Sequence, residues 1–91
     1  MKFQFHNVQF TDINGEPIEN QAIYKTLANA LYFYAKNLDL VEIAMKINRS
    51  EEVELNDAQI KALKEVIEDP KVTMLAFAKK TLLDYIVKGE A

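Results

Sequence analysis

Only four residues of this 91-residue chain interrupt regular structure by their own backbone chemistry: Gly15, Pro17, Pro70 and Gly89. What lies between them must be built from long segments, and the spacing of apolar residues says which kind. Lys2 to Ile13, rich in Phe, Val and Gln, reads as extended chain. Phe3 and Phe5 share one parity while Val8 and Phe10 have the other. Either a bulge near His6-Asn7 resets the register, or both faces of this strand are partly covered. Asn14-Gly15 follows as a hairpin signal, predicting a type I′ turn with positive φ at both residues. The return strand, Glu16 to Ile18, is short and belongs at an edge, because Pro17 has no N–H for a ladder.

Beyond the hairpin the period changes to that of helices. Asn20 is placed to cap a helix over 21–37, with Ile23, Leu27, Ala30, Leu31, Tyr34 and Leu38 on its apolar face. Asp39 and Glu42 have capping-box spacing and predict a second helix to Asn48, with Leu40, Ile43, Ala44 and Ile47 inward. Glu51 to Leu55 alternates acidic and apolar residues, so 52–55 is a candidate third strand that completes the small sheet or covers it. Asn56 with Gln59 repeats the capping box before a helix to Glu68 on Ile60, Leu63, Val66 and Ile67. Asp69-Pro70 stops that helix and, with proline at the first helical position, predicts a last helix to about Lys88, before Gly89. The predicted fold class is α+β and mainly helical: an N-terminal β-hairpin packed on about four α-helices, all in a single domain, 1–91.

A chain of this length has one core, with an expected radius of gyration of about 12 Å. Eleven Lys and Arg against fourteen Asp and Glu give a formal charge of −3, which argues against a nucleic-acid-coating or membrane-surface protein. The absence of cysteine removes disulfides, thiol nucleophiles and cysteine-ligated zinc. No apolar run approaches the roughly 20 residues of a membrane span, and Met1-Lys2 leads straight into alternating aromatics rather than a secretory leader. The expected location is therefore cytoplasmic. Charge is uneven: residues 51–56 carry −3 and residues 70–91 carry +2, which predicts attraction within or between molecules, or simply solvated faces.

Residues that could carry chemistry are sparse. His6 and Ser50 are the only histidine and serine and fall on different elements, without the G-x-S-x-G context of a nucleophile elbow. Glu51, Glu52 and Glu54 are close in sequence, but a strand turns Glu52 and Glu54 outward as a solvated face. Two glycines cannot make a phosphate-cradling loop, and Asn48-Arg49-Ser50 is a sequon without a secretory route. The two central helices invite a helix-turn-helix comparison, but their connection is too long, and Asp57, Glu65, Glu68 and Asp69 would repel phosphate. The expectation is no enzyme activity, no catalytic or metal residues and no cofactor.

Apolar surface is the more informative feature. If the last helix starts near Pro70, its apolar arc spans roughly 220°, against the roughly 100° that one core requires. Either it is central, or another chain buries part of the arc. Lys79 projects within that arc and must snorkel or find a carboxylate, while Phe77 lies on the polar side with Lys80 and Asp84. Phe33 likewise projects with Thr26, Asn29 and Asn37, away from the Ile23/Leu27/Leu31 face, and Tyr32 sits beside Lys25. Such phenylalanines suggest covering by the hairpin or by a partner, and aromatic anchors are common interface hot spots. The candidate interface residues are Tyr32, Phe33, Phe77, Lys79, Leu82, Tyr85 and Ile86.

Taken together, the Phe10-Thr11-Asp12-Ile13-Asn14-Gly15-Glu16-Pro17-Ile18 hairpin, the Lys25-Thr26-Leu27-Ala28-Asn29-Ala30-Leu31 helix start, Ala44-Met45-Lys46-Ile47, Glu52-Val53-Glu54-Leu55-Asn56 and the closing Leu82-Leu83 form a recurring pattern. It resembles small uncharacterised proteins encoded in phage and prophage regions of bacterial genomes. The resemblance spans nearly the whole chain but carries no catalytic signature, so no functional residue transfers. It implies a compact accessory or assembly protein in a bacterial cytoplasm, acting on a protein partner or as a homo-oligomer. The alternative function is a small regulator that binds nucleic acid through the basic C-terminal helix, with Lys71, Lys79, Lys80 and Lys88.

Overall fold

A computed structural model describes residues 1–19 and 21–90, with the side chains of 21, 22 and 90 left aside. The chain is α+β and mainly helical, with a radius of gyration of 12.2 Å. Its elements are β1 (Lys2–Phe3), a 3-10 turn (Phe5–Asn7), β2 (Phe10–Thr11), β3 (Pro17–Ile18), α1 (Gln21–Tyr34), α2 (Leu38–Asn48), β4 (Val53–Glu54), α3 (Asp57–Glu68) and α4 (Ala76–Glu90).

The parity switch in the N-terminal segment is resolved by the 3-10 turn rather than by a bulge. Asn7 N–H donates to Gln4 O at 2.9 Å and Val8 N–H to Phe5 O at 3.3 Å. The chain thereby turns enough for Phe3, Phe5, Val8 and Phe10 all to be buried. It also splits the expected three-stranded sheet into two antiparallel pairs. The 52–55 segment does contain a strand, but β4 pairs with β1, Phe3 opposite Val53, while β2 pairs with β3. The hairpin turn differs too. Of Asn14 and Gly15 only Gly15 has positive φ, at +84°, and Gly15 N–H donates to Asp12 O at 3.0 Å. The Asp12 carboxylate accepts from the N–H groups of Asn14 and Glu16, each at 2.9 Å, which stabilises a longer loop than the expected type I′ turn.

Two helix boundaries also move where α1 gives way to α2. The expected cap at Asn20 lies outside the described residues. α1 ends at Tyr34 instead of running to Asn37, because Asn37 turns extended and becomes the N-cap of α2. Leu38 therefore opens α2 and is exposed, not part of the α1 apolar face. The expected Asp39/Glu42 capping box does not form at this shifted start. Asp39 instead accepts from Gln59 Nε2 at 2.7 Å, tying α2 to the start of α3. α2 ends with Ser50 in the left-handed region at φ 60°, with Ser50 N–H donating to Ile47 O and Glu51 N–H to Lys46 O. The Ser50 hydroxyl pairs with the buried Tyr24 phenol at 2.8 Å, which helps offset the left-handed cost of about 1 kcal/mol.

The α3 cap is as expected. Asn56 Oδ1 accepts from Gln59 N–H at 2.8 Å, and Asn56 N–H donates to Gln59 Oε1 at 2.9 Å. Asn56→Ala removes the Oδ1 acceptor while keeping the backbone N–H that donates to Gln59, and is expected to lower unfolding free energy by about 1 kcal/mol, measurable by urea denaturation.

The last helix does not begin at Pro70. The Asp69 carboxylate captures Lys71 N–H at 2.8 Å and Asp69 O accepts Val72 N–H at 3.0 Å, holding 70–75 as a strap anchored by buried Val72. β-Branched Val72 and Thr73 add little helical preference to compete with that turn. α4 starts at Ala76 and passes through Gly89 rather than stopping before it. A Cβ at Gly89 would overlap Cε1 of buried Phe3. Gly89→Ala should therefore lose about 1 kcal/mol in a thermal melt, because overpacking outweighs the usual helical gain.

Candidate interaction surface

Ala78, Leu82 and Ile86 sit four residues apart and are fully buried, so α4 contributes a single stripe to the core. The wide arc expected for this helix shrinks because Val72, Met74 and Leu75 precede it. Leu82 and Ile86 are consequently core residues, not an exposed interface. Tyr85 is also committed within the chain. Its ring meets Phe3 and Phe5 edge-on at 5.7 and 5.5 Å, and its hydroxyl accepts Gln4 N–H at 2.7 Å. Lys79 snorkels as expected but finds a carbonyl rather than a carboxylate: Nζ donates to Asp69 O at 3.0 Å, fixing the strap onto α4.

Phe77 remains at the surface, beside a shallow hollow shared with Ile13 and Ile18 of the hairpin. Tyr32 and Phe33 are the outward pair. They are 51% and 74% exposed and stack edge to face at 5.4 Å, with an interplanar angle of 89°. This T-shaped contact pre-positions the two rings without burying either.

Phe33 stands between two hollows. One, of about 340 Å³, is formed by Ala28, Asn29, Tyr32 and Phe33 of α1 and by Ala44, Met45, Asn48 and Arg49 of α2. Ala28 and Ala44 are buried and form its floor, small residues where a larger side chain would have filled the space. The other, of about 310 Å³, lies between α1 and the strap at Val72-Thr73. α2 adds two apolar residues that sequence reasoning missed, Leu38 at 86% and Met45 at 48% exposure. Their seven-residue spacing puts them on one side of α2, a pattern visible only once Asn37 is taken as the cap.

The remaining polar candidates are engaged locally. Ser50 bonds Tyr24, and His6 lies in the 3-10 turn. Glu51 pairs with Arg49 at 2.8 Å, and Glu52 pairs with Lys2 at 3.9 Å and accepts from Gln4 Nε2 at 2.8 Å. The acidic segment thus finds partners other than the basic α4. Among the described residues no three His, Asp or Glu side chains are grouped to hold a metal ion. On α4, Lys80 pairs with Asp84 at 3.0 Å, leaving it and Lys79 both with partners inside the chain. No helix among the described residues is long and apolar enough to cross a membrane. No protein-family model, curated protein or solved structure matches the chain.

Proposed function

We propose that the protein is a non-enzymatic interaction or assembly module, a cytoplasmic accessory protein of phage or prophage type, working through the outer face of α1 and α2. The observation that carries this reading is Phe33, 74% exposed on a chain whose other phenylalanines are buried or only half-covered at the surface. A fixed aromatic ridge beside an alanine-floored hollow has the form of an interface anchor. The nucleic-acid alternative gains no support from α4, where Lys79 and Lys80 are engaged. A photo-crosslinking residue at Phe33, compared with one at Glu65 on α3, tests the reading. Protein adducts are expected from position 33 and not from 65. No adducts at 33, or equal adducts from both sites, would contradict it.

A further inference from the structure

Resting on the interaction reading above, we infer that the occupant of the α1/α2 face is a second copy of this chain, in a twofold dimer. Area is the first argument. The exposures of Tyr32, Phe33, Leu38 and Met45 leave on the order of 500 Å² of these side chains in water, at full areas of roughly 200 Å² each. A standard interface buries about 800 Å² per partner, so these four residues supply the greater part of one and their polar neighbours Asn29 and Asn48 the rim.

Shape is the second argument. The same face carries a projection, Phe33, and a recess over Ala28 and Ala44. A twofold contact requires one patch to be complementary to itself, and a projection with its own recess meets that requirement.

Charge sets the orientation. α1 has no carboxylate and carries Lys25, with Lys36 just after it, whereas α2 brings Glu42 between Leu38 and Met45 on their side of the helix. Laying α1 on the partner's α2 opposes lysine with glutamate, the neighbouring Arg49 being paired within its own chain with Glu51 at 2.8 Å. Laying α1 on the partner's α1 opposes lysine with lysine.

Light scattering across a concentration series tests the dimer. The chain is expected at twice its monomer mass, with Phe33→Ser and Leu38→Ser each weakening association at least about thirtyfold. Both side chains are exposed, and far-UV circular dichroism should confirm that both variants remain folded. Glu42→Lys should weaken the dimer, and adding Lys25→Glu with Lys36→Glu should restore it. A monomer at about 1 mM, or association unchanged in both serine variants, overturns the inference. Failure of the charge swap to restore association overturns the orientation. If the chain is monomeric yet crosslinks from position 33 to a protein of another mass, only the second-copy inference falls.

Discussion

Replacing Leu82 with alanine is expected to remove about 2–5 kcal/mol of unfolding free energy. The side chain is fully buried at the centre of the α4 stripe, flanked by Ala78 and Ile86 one turn away on either side. Ala78 is already small, so a second alanine beside it leaves a void that its neighbours cannot close without moving α4. A domain of this length is stabilised by about 5–14 kcal/mol in total. The variant should therefore show a much lower urea midpoint with an unchanged slope. A loss under about 1 kcal/mol would mean that Leu82 is not in the core.

Phe33→Ser is expected to do the opposite: leave folding alone and abolish assembly. Three-quarters of this residue is already in water, so truncation removes little burial and opens no cavity. At an interface the same ring would be the central anchor. In a twofold dimer it would be lost twice, with the recess above Ala28 and Ala44 left unfilled on both sides. Self-association measured by sedimentation should fall at least about thirtyfold. Association within threefold of the parent chain would exclude Phe33 as the anchor.

These two residues show what was legible in the sequence. Both belonged to one set of candidate interface residues, yet Leu82 is buried in the core and Phe33 is exposed. Fold class, the number of helices, the α3 capping box and the inward residues of α2 and α3 followed from period and capping chemistry, which act locally. The start of α4 did not, because it depends on Asp69 capturing Lys71 N–H in competition with a proline-led helix. That misplaced start inflated the apolar arc and moved core residues onto the surface. The two separate strand pairs were also hidden, since β1 finds β4 across most of the chain. Leu38 and Met45 were missed for a similar reason. Asn37 leaves the helical conformation and its carbonyl accepts Leu40 N–H at 3.2 Å to open α2, which turns Leu38 outward. Tyr32 and Phe33 were legible because a large aromatic on a polar helical face conflicts with local pattern whatever the boundaries.

Urea unfolding of Phe33→Ser at dilute concentration tests directly whether the exposed aromatic of the α1/α2 face is separate from the residues that fold the chain. The expected result is an unfolding free energy within about 0.5 kcal/mol of the parent chain measured under the same dilute conditions. A loss of 2 kcal/mol or more would place Phe33 in the fold itself and contradict the assignment of the α1/α2 face as the working surface.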